Sequence, residues 1–193
     1  MKINDFSNIR TGHAFRERLV DHPDGNVSVI QPKDIKADGT VAFSDGKYLR
    51  TNISSPRTLN QSDVLVVNRG RFAAVVFDFP VEESWIVPSS IMILSIREES
   101  VLPEYIALYL NSPEGQRIFQ RYFEYSTIPF ISTNNMASMD IPIPPLDRQR
   151  ALIKYREAAS EYKLLTNRKH ELYNQILSHE LRGNEIIIQG REQ

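Results

Sequence analysis

The stretch Ile141-Pro142-Ile143-Pro144-Pro145-Leu146-Asp147-Arg148-Gln149 divides the sequence into two unlike parts. A proline fixes its own φ angle and disfavours helix at the preceding residue, so the prolines of residues 142–145 predict an extended, stiff connection. Asp147 is a good N-cap for a helix that starts there. Neither glycine nor proline follows until Gly183, which we expect to end this helix. The sequence thus predicts a domain over residues 1–145, a long helix over 146–183 and a C-terminal tail over 184–193.

The N-terminal part alternates short β-branched and aromatic runs with turn signals, which is typical of a β-rich domain. Residues 63–68 and 72–79 flank Arg69-Gly70-Arg71 and are predicted to form a hairpin. Pro103 suits the first turn of a helix, which Pro113 is predicted to split in two. Further strands are predicted at Val27–Ile30, Trp85–Val87 and Ile91–Ile96, the last two continuing the sheet of the hairpin. The predicted fold class is α+β, a β-rich domain with short helices followed by one long helix.

The composition is that of an ordinary globular protein, with 41% hydrophobic and 24% charged residues. No apolar run approaches the ~18 residues that cross a bilayer, so no membrane association is predicted. The sequence contains no cysteine, which excludes disulfides and thiolate chemistry and suits a reducing compartment. We therefore expect a soluble, cytoplasmic protein.

Charge is distributed unevenly along the chain, although the net charge is only −1. Residues 31–71 carry seven Lys/Arg against four Asp, a net of +3. An excess of this size is small for a protein that neutralises many nucleic-acid phosphates by itself. If nucleic acid is the ligand, we expect a partner to supply much of the non-specific attraction.

The long helix carries an imperfect heptad stripe of apolar residues, which needs something to pack against. Two readings remain open at this point: the helix folds back on its own domain, or it pairs antiparallel with a matching helix of a second chain. We favour pairing as an antiparallel coiled coil. The positions predicted to form this seam are Leu152, Tyr155, Ala159, Tyr162, Tyr173 and Ile176.

No catalytic constellation can be assembled from the sequence. There is no glycine-rich phosphate loop and no serine nucleophile elbow. The four histidines show no metal-ligand spacing with carboxylates. Pro144-Pro145 lacks the preceding polar residue and following aromatic residue of an amino-methyltransferase, and Glu161-Tyr162-Lys163 lies within a helix, unlike the Glu-x-Lys of a nuclease. We therefore predict no catalytic residue, no metal and no cofactor.

Several short motifs, in this order and spacing, resemble the specificity (S) subunit of type I restriction-modification systems. They are Ile9-Arg10-Thr11-Gly12, residues 30–35 (IQPKDI), residues 62–70 (SDVLVVNRG), residues 105–112 (YIALYLNS) and the boundary at 141–149. The resemblance implies that residues 1–145 are a target-recognition domain for double-stranded DNA and that 146–183 is a dimerisation and spacer helix. It also implies a non-catalytic chain whose partners are methyltransferase subunits, which bind S-adenosylmethionine, and possibly restriction subunits.

The sequence departs from that family in having one recognition domain and one helix, so it resembles half of an S subunit. Two identical halves joined by antiparallel helices would form a two-fold dimer that reads a bipartite, inverted-repeat site. Pairing with a different half-subunit would give an asymmetric site. Two other classes remain open: a structural or inhibitory dimerisation protein that binds methyltransferase subunits without reading DNA, and an enzyme fragment.

Candidate DNA contacts follow from the chemistry of base and phosphate recognition. Arg and Asn side chains match the edges of guanine and adenine, and a hairpin tip can place them in a groove. Basic side chains elsewhere are better suited to phosphates. The candidates are Asn68, Arg69 and Arg71 for bases, Lys33, Lys47, Arg50 and Arg57 for phosphates, and Ser126, Thr127 and Asn134 in a polar loop. Each is equally explained as a solvated surface residue.

Overall fold

A computed structural model describes residues 1–16, 19–80, 83–124 and 127–189, without the side chains of Asp45 and of 182–189. The chain divides into two compact units, Met1–Arg150 and Ala151–Gln193. The first unit therefore extends five residues beyond the predicted domain, because it includes the first turn of the long helix. Its strands are β1 (Ser7–Thr11), β2 (Val27–Val29), β3 (Leu49–Thr51), β4 (Val64–Val67), β5 (Ala74–Val76), β6 (Trp85–Ile86) and β7 (Ile91–Ile96), and its helices are α1 (Ile3–Phe6), α2 (Pro103–Asn111), α3 (Pro113–Arg121) and α4 (Thr133–Ser138).

Four antiparallel strands form the larger sheet, in the order β1-β7-β4-β5. The predicted hairpin is confirmed, with Val64 opposite Val76 and Val66 opposite Ala74. All four residues of β4 are buried, as expected of a strand with neighbours on both sides. The free edge of β5 is covered by α2, whose Asn111 carboxamide accepts from the Ala74 N–H (2.9 Å) and donates to the Ala74 carbonyl (2.6 Å). This pairing satisfies backbone groups that an edge strand would otherwise expose.

A smaller sheet contains three strands in the order β3-β2-β6. The prediction that residues 85–87 continue the hairpin's sheet is wrong, since β6 pairs in parallel with β2. Trp85–Val87 is as apolar as the strands of the larger sheet, so its local pattern does not reveal which partner it takes. Residues from both sheets, among them Ile30, Leu65 and Trp85, share one buried core.

The split between α2 and α3 is confirmed and has a local cause at Ser112. The Ser112 N–H donates to the Tyr109 carbonyl (3.0 Å) at the end of α2, and its Oγ accepts from the Gly115 N–H (3.1 Å) at the start of α3. One residue therefore ends the first helix and caps the second. The segment 125–135 was expected to be a loop, but its end enters α4, which Ser132 caps through the Asn135 N–H (3.4 Å).

The boundary segment 141–145 lies outside any helix or strand, as predicted. The long helix α5 (Leu146–Gln189) starts one residue before Asp147, which lies in its first turn and does not precede it as a cap. The Pro145 carbonyl accepts from the N–H groups of Arg148 (2.9 Å) and Gln149 (3.1 Å) and so begins the helical ladder. The predicted end at Gly183 is also wrong, because the helix continues to Gln189; one glycine costs about 1 kcal/mol in a helix and stops it only with a left-handed turn. Of the predicted tail 184–193, residues 190–193 lie outside the described residues.

Gln149 anchors the first turn of α5 within the first unit. Its side chain is fully buried. Its Oε1 accepts from the Leu102 N–H (2.9 Å), and its Nε2 donates to the carbonyls of Ser100 (2.8 Å) and Pro144 (2.7 Å). A buried carboxamide with three partners is stable in place, whereas its loss leaves three polar backbone groups without partners.

The described residues of the second unit, 151–189, belong to the helix α5, which has apolar side chains in contact with solvent. The 44 residues of α5 span about 66 Å at a rise of 1.5 Å per residue. Leu152, Tyr155, Tyr162, Tyr173 and Ile176 are between 39% and 76% exposed. None of the helices in the described ranges is both long and apolar enough to span a membrane.

Replacement of Gln149 tests this anchor. We expect Gln149→Ala to lower the free energy of unfolding by about 2–4 kcal/mol, because it leaves the Leu102 N–H and two carbonyls unsatisfied. The measurement is urea unfolding followed by the fluorescence of Trp85, the single tryptophan of the chain. Arg150→Ala is the control, since this exposed neighbour should change stability by no more than about 0.5 kcal/mol. Equal unfolding midpoints for the two variants would contradict the anchor.

Candidate nucleic-acid interface

The tip of the β4–β5 hairpin is a tight turn that presents two arginines. The Val67 N–H donates to the Ala73 carbonyl (2.9 Å) and closes the turn. Gly70 has a φ of +74°, a conformation that glycine adopts without strain. Arg69 and Arg71 are exposed on either side of it. The sequence prediction of a polar turn at this position is therefore confirmed.

The segment 127–131 lies against the tip and fixes Arg69. The Gly70 N–H donates to the Pro129 carbonyl (2.8 Å), and the Ile131 N–H donates to the Asn68 carbonyl (3.0 Å). The Arg69 guanidinium lies over the Phe130 ring at 5.5 Å from its centre, a cation–π contact that restricts its rotamers. Thr127 is exposed in this segment, and the predicted Ser126 lies outside the described residues.

Arg71 connects the tip to the segment 31–36, although it was predicted to contact bases. Its guanidinium donates to the carbonyl of Ile35 and, at 3.4 Å, to that of Pro32. Asp34 organises the same segment: it is buried and accepts from the Gln31 N–H (2.8 Å). Lys33 projects as an exposed residue from this turn. We name the three segments 31–36, 68–71 and 127–131 the tip surface.

Asn68 is less available to a base than its position suggested. Its Oδ1 is enclosed by protein and has no hydrogen-bond partner among the described residues. A bidentate contact with adenine requires both atoms of the carboxamide. Exchanging the assigned O and N positions would leave one atom enclosed all the same. In this conformation Asn68 can offer DNA at most one of the two groups.

None of the other predicted contacts belongs to the three segments of the tip surface. Lys47 and Arg57 are exposed, and Asn134 is exposed in the first turn of α4. Arg50 lies half-buried on β3, and its Nε is enclosed without a hydrogen-bond partner in the described part of the chain. The structure thus groups Arg69, Arg71, Lys33 and Thr127 and leaves the remaining cations elsewhere.

Two features of the tip surface were missed from the sequence. Phe130, whose ring lies beneath the Arg69 guanidinium, is not among the predicted site residues. The turn 88–90 supports the tip, since the Asn68 N–H donates to the Ser90 carbonyl (3.1 Å). The available signal for Phe130 was an aromatic residue after Pro129 in an otherwise polar segment. The support from the turn 88–90 depends on pairing between segments distant in sequence, which leaves no local signal.

Three tyrosines in the described part of the chain have raised pKa values. The pKa of Tyr48 is raised above its ordinary value, first by its hydrogen bond to Glu83 (3.0 Å) and then by burial. Burial raises the pKa of Tyr105 and of Tyr109. All three phenols therefore stay protonated at neutral pH.

Within the described residues, no group of three or more His, Cys, Asp or Glu is placed to hold a metal ion.

Residues 1–173 match the family model of the type I restriction modification DNA specificity domain. The chain therefore belongs to this family, and the resemblance read from the sequence is confirmed. No curated protein matches the sequence.

The fold is similar to solved structures of this class. One is the S subunit of a type I restriction-modification system from M. genitalium, at 14% identity and a TM-score of 0.56 over 83% of this chain and 38% of that chain. Another is the HsdS subunit from Thermoanaerobacter tengcongensis, at 17% identity and a TM-score of 0.58 over 84% and 37%. A chain of a type I R-M system solved for its complex assembly and conformational transition has 18% identity and a TM-score of 0.64 over 86% and 39%. These identities show a shared α+β fold, and the chain spans less than two fifths of the length of each relative.

Replacement of Arg71 tests its role within the tip surface. We expect Arg71→Met to accelerate hydrogen exchange of the Asp34 and Ala42 amides about tenfold, because the turn 31–36 loses its link to the hairpin. The measurement is native-state exchange followed by NMR. Arg69→Met is the matched control, since Arg69 contacts Phe130 and leaves this turn unchanged. Equal exchange rates in both variants would remove Arg71 from this role.

Proposed function

We propose that this chain reads a DNA sequence for a type I restriction-modification methyltransferase complex and performs no chemistry itself. The observation that carries the proposal is Arg69, an exposed guanidinium held at a hairpin tip by an aromatic ring and a turn with two backbone hydrogen bonds. A recognition side chain binds more tightly when it is ordered before the ligand arrives. Family membership supports the same function.

The tip surface has the chemistry of direct readout in the major groove. Arg69 can donate two parallel hydrogen bonds to the O6 and N7 atoms of guanine, which is the commonest specific contact. Lys33 emerges from the neighbouring turn and suits a phosphate, because contacts to the backbone fix register without reading sequence. Thr127 adds a hydroxyl on the other side of the tip. These roles assign one base reader and its positioning contacts to a single surface.

Two substitutions separate base reading from phosphate binding. We expect Arg69→Ala to cost about 1–3 kcal/mol at one base pair and to relax preference there, whereas Lys33→Ala weakens all DNA binding and lowers the salt slope by about 1. The measurement is selection of bound sequences from a random duplex pool, followed by anisotropy titrations at several salt concentrations. Arg117→Ala, on the exposed side of α3, controls for loss of one positive charge. Unchanged sequence preference in the Arg69 variant would exclude it as a base reader.

We expect this chain to supply the sequence specificity and its partner subunits to carry out the methylation reaction. In this proposal, methyltransferase subunits bind S-adenosylmethionine and modify the site, and restriction subunits can join the same assembly. This division of labour is an inference from the family, since the chain covers only 37–39% of the related S-subunit chains.

The exposed stripe of α5 suits pairing with a second copy, or with another half-subunit. At about 100° per residue, the predicted seam positions fall within roughly 120° of the helix circumference. Leu165, Leu172 and Leu177 lie on the same side or at its margin and are likewise exposed. Lys169 extends over the Tyr173 ring (5.6 Å) and leaves its methylene groups on this face. Antiparallel pairing would give a two-fold dimer that reads a bipartite site.

A matched pair of substitutions tests this seam. We expect Ile176→Glu to shift the chain from dimer to monomer, because it places a carboxylate in the predicted apolar interface. Leu164→Glu is the control: Leu164 is as exposed as the seam residues but lies on the opposite side of α5. The measurement is sedimentation equilibrium of each full chain across a range of concentrations. A Leu164 variant that dissociates as readily as the Ile176 variant, or a wild-type monomer, would contradict the seam.

A second candidate function uses the same stripe without DNA. A structural or inhibitory dimerisation protein would also expose apolar residues along α5 and bind methyltransferase subunits. A wild-type dimer that enriches no sequence from the random pool, yet still co-purifies with a methyltransferase subunit, would favour this alternative. Enrichment of one bipartite site would exclude it.

A further inference from the structure

A cleft in the first unit lies outside the sites described above. It has a volume of about 540 Å³ and opens between the segment 13–16, which follows β1, and the segment 51–55 at the end of β3. Leu19, Val20 and His22 complete its lining. Its size falls within the range of ligand sites, which is about 300–1,000 Å³.

The cleft borders the tip surface through the turn 88–90. The Ser89 N–H donates to the His13 carbonyl (2.9 Å), while the adjacent Ser90 carbonyl accepts from the Asn68 N–H (3.1 Å). Two consecutive residues therefore contact the cleft wall on one side and the hairpin tip on the other. The turn 88–90 therefore links the cleft wall directly to the hairpin tip, since neighbouring Cα atoms are about 3.8 Å apart.

The cleft combines an apolar floor with a polar, basic rim. Phe15, Leu19 and Ile53 pack against the small core formed by β2 and Ile86 and provide the floor. The rim includes the exposed side chains of Arg16, His22, Asn52, Ser54 and Ser55. No carboxylate occurs among its described lining residues. The carboxylate of Asp21, which lies between Val20 and His22 in sequence, accepts a hydrogen bond from the Arg50 N–H (3.0 Å). A rim with one guanidinium and several neutral donors is complementary to a phosphodiester.

The walls of the cleft are fixed by hydrogen bonds. Asn26 donates through Nδ2 to the Ile53 carbonyl (2.9 Å) and accepts through Oδ1 from the Ile53 N–H (2.9 Å). The Asn26 N–H also donates to Asn52 Oδ1 (3.2 Å). On the other wall, a side chain at Gly12 would collide with the carbonyls of Val87 and Pro88, so only glycine allows this approach. The cleft therefore needs little reorganisation to accept a ligand.

We propose that this cleft binds the DNA sugar-phosphate backbone next to the bases that the tip surface reads. The inference rests on the proposed function, because it assigns a second part of the same DNA interface. Arg16 supplies the charge, and Ser54, Ser55 and Asn52 supply neutral donors to phosphate oxygens. The cleft adds affinity and fixes register, and it does not change which bases are preferred.

The test compares Arg16→Gln with Lys2→Gln, a matched loss of charge at the N-cap of α1. The probe is the duplex that the wild-type full chain enriches from a random pool, made with single neutral methylphosphonates along the flank of the site. We expect Arg16→Gln to reduce the salt slope by about 0.9, so that the wild type loses about 3.5-fold more affinity than this variant between about 50 and 200 mM salt. One methylphosphonate at the contacted phosphate should lower the salt slope of the wild type by the same amount and leave that of the Arg16 variant unchanged. The set of enriched sequences should stay the same.

Three outcomes are decisive. Coupling between Arg16 and one flanking phosphate, with Lys2→Gln behaving as wild type, supports the cleft. A wild type that enriches a sequence, together with an Arg16 variant of unchanged salt slope, overturns the cleft and leaves the proposed function intact. A wild type that enriches no sequence overturns the proposed function itself. We expect both variants to unfold at the same temperature as the wild type, because both side chains are exposed. This control excludes a folding defect.

Discussion

The buried carboxamide of Gln149 is the contact on which the arrangement of the first unit depends. It joins the proline boundary to the start of α2 through the Leu102 N–H and the Pro144 carbonyl. At the other end of α2, Asn111 pairs with Ala74, two residues beyond Phe72, which follows the hairpin tip. One helix of nine residues thus connects the boundary to the tip surface by a side-chain amide at each end. A polar group buried without partners is costly, so both ends of this connection are strongly specified.

Features with local causes could be predicted from the sequence. The hairpin follows from two apolar runs around Arg69-Gly70-Arg71, and the break between α2 and α3 follows from Ser112 and Pro113. The partner of β6 could not be predicted, because its apolar residues fit either sheet and its pairing with β2 joins segments more than 50 residues apart. The role of Arg71 was hidden for the same reason: its partners, Pro32 and Ile35, are remote in sequence. The sequence therefore indicated which residues to consider, whereas their roles depend on tertiary contacts.

The net charge of −1 is easier to reconcile with DNA binding once the cations are sorted by what they contact. Arg10 pairs with the buried Asp63 at 2.7 Å, and Arg71 and Arg97 donate to backbone carbonyls, so these charges hold the fold together. Arg69, Lys33 and Arg16 are exposed beside the hairpin tip or the adjoining cleft. The potential that a phosphate meets depends on charges within about a Debye length of roughly 8–10 Å. A few exposed cations near the hairpin tip and the adjoining cleft can therefore attract DNA despite a net charge of −1.

Because so few exposed cations lie near the tip surface, the proposed DNA reading also depends on pairing through α5. Each neutralised phosphate contributes about 0.9 to the salt slope, and a single copy of this surface offers few such contacts. Joining two copies makes binding of the second half-site intramolecular, which raises affinity without any new type of contact. The gain requires the two surfaces to reach both half-sites at once, so the length and stiffness of the paired helices set the spacing of the target. In the proposed function, the apolar stripe of α5 is therefore part of the DNA-recognition mechanism, because it converts two weak surfaces into one specific reader.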